Sequence, residues 1–186
     1  MRIFTIEEIL KATGGELICG SPDDKVRGFF IDSREVEAGG VFFATKGARN
    51  DAHNFLENVI EKGCKALVIS DMSKLPADKP KDLNVILTGD ALKALQELSR
   101  WYLGTLPLRK KIGVTGSVGK TSTRDMVYYV ASSKYKTGRN KKNYNSAFGL
   151  PLSILEFEPD TEVAVLEMGM DTFGEIQLLA DIVRPD

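Results

Sequence analysis

The sequence is short of the residues that build redox and metal chemistry. It has two cysteines, one histidine and one tryptophan among 186 residues. Neither Cys19 nor Cys64 sits in a CxxC or other metal-ligand spacing, which argues against a zinc site or a thiol-disulfide centre. Two such thiols read as free, buried cysteines of a reducing cytosol. Long apolar runs are also missing: none approaches the roughly 18–20 residues that cross a bilayer. Glu7 and Glu8 stand where a secretory leader would be apolar. A cytoplasmic protein with no membrane partner is expected. Charge of one sign is lacking too, with 25 Lys and Arg against 26 Asp and Glu. A broad nucleic-acid-binding surface needs a basic excess, so none is expected.

What is present is an ordinary globular composition, 42% hydrophobic and 27% charged, enough for a core in one or two domains. Thr5-Ile6-Glu7-Glu8 has the form of a capping box, and Gly14-Gly15 would stop the helix it opens. Residues 26–31 and 41–45 read as strands, 52–62 as a helix, 66–69 as a buried strand, and 72–82 as a surface loop. A strand at 85–87 precedes a helix from Asp90 to about Leu103. The pattern then restarts after Gly104-Thr105-Leu106-Pro107. A strand is expected over 111–115, a helix from about Lys120 to Ala131, and a third strand near Tyr135 to Thr137. Part of 145–155 reads as helix, 162–166 as a strand and 173–182 as a helix. Strands alternating with helices imply an α/β protein with mainly parallel sheets covered on both faces. The second half has few strands for a sheet, so its domain reads as incomplete.

The residues Gly116-Ser117-Val118-Gly119-Lys120-Thr121-Ser122 lie between an apolar strand and a helix. That context suits phosphate binding. Glycines let the backbone approach an anion, successive N–H groups form a concave nest, and the helix presents its positive end. Lys120 would reach the β- and γ-phosphates, and the Thr121 hydroxyl would ligate Mg²⁺. The usual first glycine of such loops would fall at 114, where this chain has valine. A second apolar strand, Val163 to Leu166, ends in Glu167, and an acid at that place holds Mg²⁺ directly or through water. Lys120, Thr121 and Glu167 are therefore the candidate catalytic residues, with Thr121 and Glu167 as metal ligands. Asp171 and Glu175 lie near a helix start, where acids are stabilised anyway.

The displaced glycine carries a resemblance. Val114 to Thr123 resembles the T-G-[ST]-x-G-K-T-[ST]-T loop of the Mur ligases, the ATP-dependent amide ligases of peptidoglycan precursor synthesis. Ile31-Asp32-Ser33-Arg34 with Gly39-Gly40-Val41-Phe42-Phe43-Ala44 and Lys46-Gly47 is similar to the family's D-S-R…G-x-x-F-x-A-x-x-G segment. Asp51-Ala52-His53-Asn54-Phe55 is similar to D-G-H-x-F, with Ala52 for glycine, and Asn143 to Leu152 to N-x-N-N-x-x-G-x-P-L, with Ser146 for the last asparagine. Glu167-Met168-Gly169-Met170 followed by Gly174-Glu175-Ile176 looks most like the branch that adds D-alanyl-D-alanine to a UDP-N-acetylmuramoyl-tripeptide.

The resemblance implies a UDP-substrate-binding domain over residues 1–88 and the first part of a P-loop ATPase domain over 89–186. ATP and Mg²⁺ are the implied cofactors. UDP-N-acetylmuramoyl-tripeptide and D-alanyl-D-alanine are the implied substrates, and a monomer is expected. It further implies that Asn143 and Asn145 face the nucleotide, and that Ser33, Arg34, Lys46, Asp51 and His53 line the UDP pocket. The implied reaction passes through an acyl phosphate, so two anions must be brought together and neutralised. The 186 residues by themselves are expected to give no ligase turnover. Two other readings stay open on these residues: the Mur ligase that adds the third amino acid, and a P-loop NTPase that is not a ligase.

Overall fold

The computed structural model describes residues 2–47, 50–141 and 143–186. The chain forms two compact units, residues 3–98 and residues 99–186. They part between Leu98 and Ser99, within one helix; the family resemblance implies domains of residues 1–88 and 89–186.

The first unit begins with β1 (Phe4–Thr5) and α1 (Ile6–Thr13). The capping box forms as expected: Glu8 N donates to Thr5 Oγ1 at 3.2 Å, and Thr5 N to Glu8 Oε2 at 3.0 Å. Gly14 closes the helix in the left-handed region. Next come β2 (Glu16–Cys19), β3 (Lys25–Val26), β4 (Phe29–Phe30) and β5 (Val41–Phe43). A 3₁₀ turn (Ala52–Phe55) leads into α2 (Leu56–Glu61), then β6 (Ala66–Ile69) and β7 (Asn84–Leu87). The main sheet has the order β2-β7-β6-β5-β4. Strands β4 to β7 are parallel, and β2 joins the edge antiparallel.

Two features depart from the sequence reading. The strand expected over 26–31 is two: β3 pairs with β1, while β4 pairs with β5. The chain turns between them at Gly28 (φ 79°). Strand β2 was not anticipated. Its residues alternate between exposed and half-buried, as an edge strand does, so it lacks the apolar run that marks β6. The central strands are buried on both faces. One face packs Phe42, Leu67, Ile69 and Val85 on Leu56 and Val59 of α2. On the other, Phe43 meets Phe29, whose ring stands edge-on to Phe4 at 4.9 Å. Cys64 is buried in the first layer, which pushes its thiol up to about 11.

Helix α3 (Ala91–Thr105) runs across the division between the units. Asp90 caps it by accepting from the N–H groups of Leu92 and Lys93. The second unit holds β8 (Lys110–Val114), α4 (Lys120–Ser132), β9 (Thr137–Arg139), α5 (Gly149–Leu155), β10 (Val163–Glu167) and α6 (Glu175–Val183). Its sheet is all parallel, in the order β8-β10-β9. Val114, Val163 and Val165 pack with Val127 and Ala131 of α4. Buried Tyr102 donates its hydroxyl to Phe157 O at 2.6 Å, and burial pushes that phenol up to about 12. Pairing β10 beside β8 brings Glu167 level with Val114, so the strand-end acid lies next to the start of the glycine loop.

Candidate functional site

The loop leaves β8 after Val114 and enters α4 at Lys120. Gly116 has φ 148° and Gly119 has φ 79°, backbone positions that a side chain would strain. Gly119 is the N-cap of α4, and no side chain bonds the first helical N–H groups there. The helix therefore opens on unclaimed donors at its positive end, the arrangement that receives an anion. Lys120 Nζ spans the loop and donates to Gly116 O at 2.7 Å. Ser117, Gly119 and Ser122 are exposed beside it, as is Val118, at 92%.

Thr121, in the first turn of α4, donates its hydroxyl to Glu167 Oε2 at 2.9 Å. Asn145 Nδ2 donates to the other oxygen, Oε1, at 2.9 Å. The structure thus joins three of the sequence candidates into one hydrogen-bonded group. Glu167 is only 3% exposed, so its carboxylate is held by partners rather than by water. Asn143 stands apart from this group, exposed and in the left-handed region (φ 68°). Glu175 accepts from the N–H groups of Asp171 and Thr172, bonds that hold its carboxyl below the ordinary range. Glu175 thus braces the start of α6, and Asp171 takes part through its backbone N–H.

Arg124 and Asn140 escaped the sequence reading. Arg124 Nη1 lies 3.3 Å from Glu167 Oε2, with both side chains buried. A signal existed for it: Arg124 follows Thr121 by three residues, so both share one face of α4. Asn140 gave none, because its role depends on β9 lying beside β10, which no local pattern reveals. A cavity of about 880 Å³ opens beside β9, lined by Tyr128, Arg139, Lys141, Glu156 and Phe157. The charges on its rim pair with one another, Lys141 with Glu156 and Lys136 with Asp160. The glycine loop is no part of it.

In the first unit the candidates form two groups. Ser33 and Arg34 sit in a turn after β4, and their carbonyls both accept from Lys62 Nζ, at 2.7 and 3.0 Å. The Arg34 side chain is 87% exposed and grips Asp32 through Nε and Nη2. That guanidinium holds the Asp32 carboxyl down at about 2. The second group surrounds the turn at Asp51. Lys46 bridges to Asp51 through backbone and reaches Asp71 at 3.7 Å.

His53 is different in kind. Its side chain is wholly buried. Nδ1 lies 2.6 Å from Asp51 Oδ1, and Nε2 accepts from Ser70 N–H at 3.0 Å. Because Nε2 accepts, the ring proton sits on Nδ1 and is donated to Asp51. Burial raises the Asp51 carboxyl, but the His53 backbone and ring hydrogen bonds outweigh it and the net shift is downward. The resemblance implies that His53 lines the UDP pocket; in the structure its ring ties the turn to the end of β6. Both ring nitrogens are spent on the protein.

The glycine loop between a parallel strand and a helix, with a buried acid at the neighbouring strand end, gives the second unit the architecture of a P-loop α/β domain. Family comparisons carry this further. Residues 25–102 match the Mur ligase family catalytic domain, and residues 114–186 match the Mur ligase middle domain. The chain belongs to the Mur ligase family. It is 41% identical over 183 residues to the UDP-N-acetylmuramoyl-tripeptide–D-alanyl-D-alanine ligase of Bacillus subtilis strain 168, covering 98% of this chain and 39% of that protein. Among solved structures it is similar to MurF from Acinetobacter baumannii, with a TM-score of 0.88 and 31% identity over the whole chain and 40% of that one. It is also similar to MurF from Thermotoga maritima in complex with ADP, with a TM-score of 0.74, 33% identity, and coverage of 86% and 36%. The chain thus spans about two fifths of the length of the relatives it matches.

Proposed function

We propose that these residues form the substrate-binding and nucleotide-binding parts of an ATP-dependent ligase, acting as a monomer in the cytoplasm. The ligase joins D-alanyl-D-alanine to UDP-N-acetylmuramoyl-tripeptide through an acyl phosphate, in peptidoglycan precursor synthesis. The observation that carries the reading is the Gly116–Thr121 cradle with its Thr121 hydroxyl bonded to buried Glu167. The names of the similar ligases, and the ADP in one of them, support the same assignment.

ATP with Mg²⁺ supplies the phosphoryl group that activates a carboxylate. The cradle N–H groups and the α4 N-terminus hold phosphate oxygens, and Lys120 neutralises them. Among the described residues no group of three or more His, Cys, Asp or Glu gathers as a metal site. The donor set nevertheless fits Mg²⁺, which prefers oxygen and takes few protein ligands alongside phosphate. The Thr121 hydroxyl donates its hydrogen bond to Glu167, which would leave its lone pairs for the cation. Glu167 then serves mainly by orienting Thr121. Asn145 keeps the carboxylate from turning away, and Asn143, exposed nearby in the chain, would be free to meet the nucleotide. In the first unit Ser33 and Arg34 contact the UDP moiety, a bidentate fork being suited to pyrophosphate. Lys46 and Asp51 border the same pocket, and His53 acts through the Asp51 turn.

Calorimetry of the chain with ATP and with GTP, each with Mg²⁺, tests the reading. ATP is expected to bind in preference to GTP. Lys120→Ala should weaken ATP roughly hundredfold, the scale for removing one member of a desolvated charge pair. A clear GTP preference, or ATP binding indifferent to Lys120, would overturn it.

A further inference from the structure

Glu167 is built into a closed triangle of buried groups. Asn140 treats it as a neighbouring strand would: Oδ1 accepts from Glu167 N–H at 2.8 Å, and Nδ2 donates to Glu167 O at 3.0 Å. Arg124 Nη1 donates to Asn140 O at 3.1 Å and lies 3.3 Å from Glu167 Oε2. Arg124, Asn140 and Glu167 are 3%, 1% and 3% exposed. The far side of the guanidinium is fixed as well. Nε and Nη2 both donate to Asp125 Oδ1, at 2.9 and 2.7 Å. Arg139 Nη1 donates to the same oxygen at 2.7 Å, and the Arg139 guanidinium carbon lies 4.2 Å from the centre of the Tyr128 ring.

An arginine beside a phosphate loop invites a role as a phosphate ligand, but these contacts argue against one. Nε, Nη1 and Nη2 all have protein acceptors, and the residue is nearly inaccessible. Stability is a weak reason for the arrangement as well, since a buried ion pair is often matched by apolar packing of similar volume. What the triangle supplies is direction. Oε2 takes both the Thr121 hydroxyl and Arg124, while Asn140 fixes the backbone that carries the carboxylate.

We infer that Arg124 is a positioning residue for the cation side of the phosphate site. Clamped between Asn140 and Asp125, it aims the Glu167 carboxylate at Thr121 and so orders the hydroxyl that meets the metal. The inference rests on the proposed ATP and Mg²⁺ site.

The test measures ATP affinity of the chain twice, with Mn²⁺ and with EDTA, and takes the gain given by the metal. Arg124→Met should cut that gain by about tenfold or more, the scale for a group that orients a metal ligand. Metal-free ATP affinity should stay within about twofold, because the cradle is untouched. Arg124→Lys keeps the cation but cannot span Asn140 and Asp125, and should fall between. It carries the test alone if Arg124→Met does not fold. An unchanged metal-dependent gain overturns the inference. So does a loss of both affinities in proportion to a fall in melting temperature, which is what a merely structural residue gives. Should the unaltered chain bind ATP under neither condition, the phosphate-site reading fails first and the inference goes with it. Normal ATP binding with no Arg124 effect removes the inference alone.

Discussion

The two units hold their candidate groups in opposite ways. In the second, Thr121, Asn145, Arg124 and Asn140 converge on one carboxylate that is 3% exposed. In the first, Arg34 and Lys46 are surface cations already paired with Asp32 and Asp71, and the only deeply buried candidate, His53, faces inward. A site that must aim a hydroxyl within tenths of an ångström gains from a water-free frame, where hydrogen bonds are strong and unmade ones costly. A site that grips an extended anionic ligand can leave its cations outside, parked on carboxylates that the ligand displaces. The contrast predicts that substitutions in the second unit register as lost stability as well as lost binding. Those on the first unit's rim should cost little stability, under about 1 kcal/mol, and leave stability and binding uncoupled.

Removing the hub is the strongest way to break this comparison. Glu167→Ala strips the acceptor from Thr121 and Asn145 and leaves Arg124 with Asp125 as its remaining acidic partner. Breaking a buried pair from one side costs about 3 kcal/mol or more. Urea unfolding, followed by a probe in the second unit, should show a correspondingly lower midpoint. A loss of less than about 1 kcal/mol would class Glu167 with surface pairs and undo the contrast.

Much of that hub was legible in the sequence, and the reason is local. Gly116 to Thr121 follows a strand and starts a helix, so the pattern specifies a backbone shape as well as a composition. Glu167 could be found because an apolar strand ends on it. Arg124 was within reach through its spacing from Thr121, but a basic residue on a helix is usually a solvated one, and nothing local says that this face is buried. Asn140 could not be read at all, since its partner lies 27 positions away on a different strand. The elements followed the same rule. Buried β6 and the capped helices α1 and α3 carry their own signals, while β2 lacks an apolar run, β3 and β4 are two residues each, and all three owe their existence to partners. His53 shows the limit from the other side: the family-like motif around it drew it towards the ligand, and only the three-dimensional structure shows both its nitrogens spent.

His53 supplies the next largest effect and sharpens the comparison within the first unit. His53→Ala removes a fully buried ring, leaves Ser70 N–H without its acceptor and takes the ring bond from the Asp51 carboxylate, which keeps the backbone N–H of residue 53. The unmet N–H and lost packing should cost about 2 kcal/mol. His53→Gln should recover part of it by offering an acceptor to Ser70. If His53 is a tie and not a contact, UDP-substrate affinity should fall less than stability does. A variant of normal stability that loses substrate binding would place His53 at the ligand after all.

The smallest effect belongs to the Arg34 turn, and its sign follows from the carboxyl. Asp32 is held at about 2 against an ordinary value of 3.8, chiefly by the Arg34 side-chain hydrogen bonds. A carboxyl depressed on folding adds stability that is complete above the unfolded value and is lost as pH falls through the folded one. Arg34 is mostly in solvent, and screening there limits the gain for Asp32 to under about 1 kcal/mol. Asp32→Asn should therefore unfold slightly earlier in urea near pH 7. Its difference from the unaltered protein should shrink as pH falls below about 4 and be mostly gone by about pH 2. The same substitution frees Arg34, so affinity for the UDP moiety should hold or rise even as stability dips. Stability and binding falling together would mean that Asp32 orders the turn for the ligand, and that the first unit is preorganised in the manner of the second.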